Sequence, residues 1–181
     1  MTRGTVATFE KSLERLEVGW THTDAEGLAG TLRTVCADPA VGTPLPWAAV
    51  TLPDWIDADP TAADVRAAAT GVTAAGIGIA DYGSVVLPST DDGSEPVSLY
   101  PETHVPVVRR SDLVDGMPEA FSWLAENVTA GGGSAIVATG PSATADMGAL
   151  VKGAHGPKAV HVVVLDDRTD DAGDDRGGTE P

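Results

Sequence analysis

Apolar residues recur along the chain with two periods. Val6, Phe9, Leu13 and Leu16 are spaced by three and four, which predicts an amphipathic helix over 6–18. Leu28, Leu32 and Val35 repeat the spacing behind Asp24, a residue suited to capping a second helix. "PWAAVTLP", 46–53, is a short apolar run between prolines and reads as a strand. Thr61 with Asp64 three residues on predicts a capped helix start, with the helix ending near Gly71 or Gly76. "IGIADYGSVVLP" reads as two short strands around Asp81-Tyr82-Gly83, where Gly83 supplies the positive φ of a tight turn. "STDDGSEP", 89–96, reads as a surface loop. "HVPVVRR", 104–110, is a further strand, and Pro106 argues for an edge position or a bulge. "MPEAFSWLAENV" is a helix with Pro118 in its first turn and Phe121, Leu124, Ala125 and Val128 on one face. "GGGSAIVATG" is a strand after a turn, and "KAVHVVVLDD" is nearly unbroken in apolar residues, as in strands buried on both faces of a parallel sheet. Helices and strands alternate, so the fold class is α/β: a layered, largely parallel sheet flanked by helices, with helices at the N-terminus.

Composition narrows the possibilities. The chain has 181 residues, enough for one domain with a sizeable core. Acidic residues number 27 against 11 basic ones, a formal net charge of −16 that repels nucleic acid phosphates and anionic membranes. The acid is spread along the chain, which points to adaptation to a salty interior rather than to one acidic partner-binding face. No apolar run reaches the roughly 18 residues of a membrane helix, and the charged N-terminal stretch has no signal segment, so the expectation is a cytoplasmic protein. The lone cysteine, Cys36, sits in a helical pattern and reads as a small buried hydrophobe. One thiolate holds neither an iron–sulfur cluster nor a structural zinc.

Chemistry-bearing residues collect in "ATGPSATAD" and "GAHGP". An apolar strand ends in Gly140-Pro141, after which Ser142 and Thr144 offer hydroxyls and Asp146 a carboxylate. Two readings of this stretch stand side by side. Free N–H groups at a helix start would hold a phosphate or carboxylate. Alternatively, Ser142 is only an N-cap and Asp146 only a first-turn acid. His155 lies between Gly153-Ala154 and Gly156, a loop that can present imidazole to a pocket as acid, base or donor, or simply an exposed turn. Asp81, Gly83 and Ser84 at the hairpin and His104 at a strand start are further candidates, each also explicable by turn or strand geometry. His161 reads as a structural residue of the last strand, and His22 receives no role. No compact His/Asp/Glu spacing predicts a metal, and Gly71, Gly76 and Gly78 miss the dinucleotide-binding spacing.

"TGPSATAD", then "GAHGP" and "VHVVVL", preceded by "GIADYGSVVL" and "LYPETHVPVV" in that order, resembles the LUD family, that of lactate utilization protein C and the related domain of protein B. The resemblance is strong over residues 71–165 and loose before them. It implies a fold like that of sugar-phosphate isomerases and CoA transferases. With the periodicity and composition of its two ends, the chain divides into an N-terminal helical segment (1–45) packing on the core, a LUD-like α/β domain (46–165) and an acidic disordered tail (166–181). The resemblance implies a role in a cytoplasmic system oxidising L-lactate to pyruvate, with iron–sulfur clusters on partner subunits and no cofactor in this chain. It implies ligand contacts at Gly140, Pro141, Ser142, Thr144, Asp146, Gly153, His155 and Gly156, with Asp146 and His155 as catalytic candidates and Asp81, Gly83, Ser84 and His104 as supporting ones. The sequence departs from the family pattern at Ala143 (often Arg), Met147-Gly148 (Ile-Glu), Asp81 (Glu) and Tyr82 (Thr), changes that bear on the substrate more than on the fold. Two other readings remain open here: an independent enzyme or binding protein for a small phosphorylated or carboxylated metabolite, and a scaffold whose pocket has lost its function.

Overall fold

The computed structural model describes residues 3–48, 50–146, 149–152 and 155–167; for residues 3, 144–146 and 149–152 it describes the backbone only. The chain begins with α1 (Arg3–Arg15), β1 (Gly19–Thr23), α2 (Leu28–Val35), β2 (Ala40–Gly42), β3 (Ile56–Asp57) and α3 (Ala62–Ala67). It continues through β4 (Thr70–Ala74), β5 (Ile77–Ile79), β6 (Ser84–Pro88), α4 (Ser94–Leu99), β7 (Thr103–Arg109), β8 (Leu113–Val114) and α5 (Met117–Asn127). It closes with β9 (Ala135–Ala138), β10 (Ala143–Asp146), β11 (Ala149–Lys152) and β12 (Ala159–Leu165). No helix among the described residues is long and apolar enough to cross a membrane.

Six strands form one sheet in the order β1-β12-β7-β4-β2-β3, and every neighbouring pair is parallel. A second sheet has the order β8-β5-β6-β9, and β10 pairs antiparallel with β11 in a separate hairpin. Alternation along the strands explains the layering. In β12, Val162 and Val164 pack with Phe9 and Leu13 of α1 and with Val85 and Leu87 of β6. Val163 and Leu165 point the other way, to Leu28 and Leu32 of α2. The far face of the second sheet, Ile77, Ile79 and Val86, is covered by α5. The layers therefore run α2, large sheet, α1 with small sheet, α5. Phe9 and Leu13 are fully buried, each worth about 2 kcal/mol in apolar area removed from water.

Several predicted elements hold. Thr61 and Asp64 form a capping box, with Asp64 N donating to Thr61 Oγ1 and Thr61 N to the Asp64 carboxylate. The hydrogen bonds from Thr61 hold the Asp64 carboxyl below the usual carboxylate range. Gly83 has φ 65° in the β5–β6 hairpin. The buried run of β12 lies inside the parallel sheet.

Other expectations fail for identifiable reasons. Residues 46–53 are not a strand: Val50 N turns back to Trp47 O, and Leu45 and Val50 cover α2 as a loop. Prolines 44, 46 and 53 remove N–H donors at and beside the two ends of the run, where a strand would join the sheet. The helix after Thr61 ends at Ala67, because residues 70–74 are claimed by the sheet as β4. The last residues of the predicted loop 89–96 open α4. Pro106 lies in a central strand, β7, between β12 and β4. Its missing donor shows only as a gap in the β12–β7 ladder between the Val160–His104 and Val163–Val107 pairs. In α5, Ala120, Met117 and Leu124 face the core, whereas Phe121 is 64% exposed and Ala125 is also exposed. Asp166 and Asp167, at the start of the acidic stretch, are held by Arg110 Nη1 (3.0 Å) and by the N–H of Ser111 (3.0 Å). Residues 168–181 lie outside the described residues.

Candidate functional site

The two glycine turns meet. Ser142 N donates to Pro157 O at 2.9 Å, tying the end of β9 to the entry of β12. Gly156 makes the approach possible, since a Cβ there would lie 3.1 Å from the Ser142 Cβ. Gly140 takes a left-handed φ of 69°, which lets the chain leave β9 and turn toward β10. The segment after Gly140 is a strand rather than a helix start, so neither the helix-dipole anion site nor the N-cap reading of Ser142 and Asp146 applies. The second turn is anchored to the β7 entry: the backbone N–H groups of Lys158 (2.8 Å) and Ala159 (3.1 Å) donate to Glu102 O, and Lys158 Nζ pairs with the Glu102 carboxylate.

Between these turns, the two sheets and α4 lies a cleft of about 370 Å³. Gly140, Pro141, Ser142, His155, Gly156 and His104 all line it. Its walls are Leu87, Leu99, Ile136 and Val160, and Thr139 and Ser98 add hydroxyls. His104 and Val160 pair with each other at the amino-terminal ends of β7 and β12, so the cleft is not at the carboxyl ends where the sheet rule places ligands.

His104 is the buried polar centre of this wall. Its Nε2 lies 2.9 Å from Thr73 Oγ1, and burial pushes its pKa down to about 3, so the ring is neutral. Among the described residues Nδ1 has no hydrogen-bond partner, which leaves it to the cleft. Ser84 stands behind the site: its hydroxyl is 2.6 Å from that of Thr139 and is itself buried. His155 is exposed at the mouth, where its ring nitrogens can donate or accept a hydrogen bond. The set offers two imidazoles and several hydroxyls around apolar walls, suited to gripping a small polar molecule and moving one proton. The described lining residues include no Lys or Arg.

The other candidates go elsewhere. Asp81 and Gly83 seat α1 on the hairpin: Ser12 Oγ (3.2 Å) and Arg15 Nη2 (3.1 Å) donate to Asp81 O, and a Cβ on Gly83 would lie 3.0 Å from Leu16 Cδ1. Thr144 and Asp146 lie in β10, their side chains undescribed, and Gly153 lies outside the described residues. His161 Nε2 is 2.8 Å from Thr21 Oγ1 and burial lowers its pKa, the structural role expected of it. The reading from sequence did not single out Thr73, Thr139 and Ser98; nothing local marks Thr73, which acts only through strand pairing with β7.

Residues 54–165 match the family model of the LUD domain. The lactate utilization protein C of Bacillus subtilis is 35% identical over 136 residues, covering 71% of this chain and 53% of that protein. The chain thus spans about half the length of that relative. The lactate utilization protein C of Deinococcus radiodurans is 29% identical over 166 residues, covering 87% of this chain and 77% of that protein. The crystal structure of a DUF162 family protein from Deinococcus radiodurans shares the fold, with a TM-score of 0.70 over 91% of this chain and 99% of that one at 22% identity. The matched residues include the whole second sheet, four strands of the large sheet (β3, β4, β7 and β12) and the glycine-turn cleft, and the chain belongs to the LUD domain family.

Proposed function

We propose that this chain serves in lactate utilization as a subunit of a cytoplasmic system that oxidises L-lactate to pyruvate, holding a small carboxylate metabolite in the histidine cleft. The convergence of Gly140–Ser142, His155-Gly156 and His104 on one cleft supports this reading, since three separate family motifs meet there. Two relatives carrying the name lactate utilization protein C support the metabolic assignment. In the cleft, His155 exchanges a proton with the hydroxyl or carboxylate of the ligand, while neutral His104 and Ser142 supply hydrogen bonds. Electron transfer belongs to partner chains that carry iron–sulfur clusters, because the sole cysteine here gives at most one thiolate. Cys36 is also a poor ligand: burial, with Asp38 adding to it, raises its pKa to about 11. The acidic surface fits a salty interior.

The alternative, an independent enzyme or binding protein, draws its support from the self-contained cleft.

Isolation of the tagged chain from its own cells in high-salt buffer tests the subunit reading. Co-elution of cysteine-rich, cluster-bearing chains is the expected result. A chain that elutes alone and reduces an acceptor dye with lactate unaided overturns it.

A further inference from the structure

A second cavity, of about 330 Å³, lies at the other end of the large sheet, where β2, β4 and β7 end. His104 and Arg109 mark the two ends of β7, roughly 17 Å apart along the strand. After β2 the chain passes to the α2 side, where Leu45 and Val50 pack. After β4 it passes to the opposite side, where Ala75 joins the α1 cluster. Connections that leave neighbouring parallel strands toward opposite faces open a crevice at their carboxyl ends, and the cavity occupies it.

We propose that this crevice is a second binding site, for a neutral polyhydroxylated molecule of monosaccharide size. The lining residues argue against the other classes. Among the described lining residues Arg109 is the one cation, and it is already met by Asp112 (Nε to Oδ2 2.6 Å, Nη2 to Oδ1 3.0 Å) and approached by Asp167 at 3.8 Å. A further anion would compete with two carboxylates in a chain of net charge −16. Asp92 and Asp112 also line the cavity, but Asp112 is engaged by Arg109, and the guanidinium, which stacks 5.6 Å over the Trp47 ring, stands against a cation beside it. A wholly apolar ligand would strand Thr43. That residue is only 3% exposed, its N–H goes to Val72 O, and its hydroxyl has no hydrogen-bond partner among the described residues. No buried side-chain oxygen is sealed away unpartnered, so this hydroxyl opens on the cavity it lines. Two indoles, Trp47 and Trp123, give the apolar walls against which the C–H faces of a polyol rest. The Trp123 ring is brought in over Gly76, where a Cβ would lie 2.4 Å from its Cη2.

Intrinsic tryptophan fluorescence of the full chain, titrated separately with D-glucose, D-ribose and myo-inositol, tests this. At least one gives a saturable change. Thr43→Val, which keeps shape and removes the hydroxyl, weakens that binding about tenfold, and Trp123→Phe, the second variant, weakens it as well. His155→Ala, in the other cleft, binds as the unaltered chain does. The proposal is overturned if none of the three polyols saturates, if neither variant changes affinity, or if inorganic phosphate or L-lactate binds in their place and loses affinity with Arg109→Gln.

Discussion

Gly156 and Ser142 touch so closely that a Cβ added to Gly156 would lie 3.1 Å from the Ser142 Cβ, while Ser142 N donates to the neighbouring Pro157 carbonyl at 2.9 Å. This contact fixes the width of the cleft. Gly156→Ala forces the two turns apart by a few tenths of an ångström at a half-buried position. We expect a stability loss of about 1 kcal/mol, within the range for overpacking, but at least a tenfold fall in ligand affinity at the cleft. Thermal melting alongside ligand titration checks the pair; equal, small effects on both would contradict the assignment.

His104 makes stability depend on pH. Its pKa is about 3 in the fold against about 6.5 when unfolded, so the unfolded chain binds the extra proton first. The contribution is fully present above pH 6.5 and is lost as pH falls toward 3, by about 1.4 kcal/mol per pH unit in that window. Urea unfolding at pH 7 and pH 5 compares the native chain with His104→Gln. The native chain loses more stability over the interval; parallel losses would place His104 in a solvated setting.

Thr73 is the partner that orients His104 from the neighbouring strand. Thr73→Val removes the hydroxyl and keeps the β-branched shape. The expected cost is about 1–3 kcal/mol for a buried group left without its partner, read as a lower urea midpoint at an unchanged denaturant slope.

Gly71 is fixed by α4. A Cβ there would lie 2.0 Å from Val97 O, a backbone atom that cannot swing aside. Gly71→Ala must displace the helix, at about 3 kcal/mol. Gly30→Ala, where a Cβ meets nothing within 4 Å, leaves the melting temperature unchanged or raises it.

Local chemistry was legible wherever it acts within a few residues. The Thr61–Asp64 box, the Gly83 turn and the apolar run of β12 follow from spacing alone. Tertiary competition was not legible. Pro106 argued for an edge, yet β7 is central and accepts one gap in its ladder. The run 46–53 had strand composition, but prolines at its two ends and the turn from Val50 N to Trp47 O fold it back as a cover for α2. In α5, spacing fixed the helix but not which face turns inward, and Phe121 is exposed. The convergence of the two glycine turns was readable from their motifs. Their position at the amino-terminal ends of β7 and β12 was not, because it depends on β9 belonging to a different sheet from β12.

The most direct test of the proposed role is lactate-dependent dye reduction by the chain recombined with the partner chains isolated alongside it, comparing the native protein with His155→Ala. The prediction is activity only in the recombined mixture, falling at least tenfold with His155→Ala at an unchanged melting temperature, in line with loss of a proton-transfer group. Undiminished activity of His155→Ala, or lactate oxidation by the isolated chain, would contradict it.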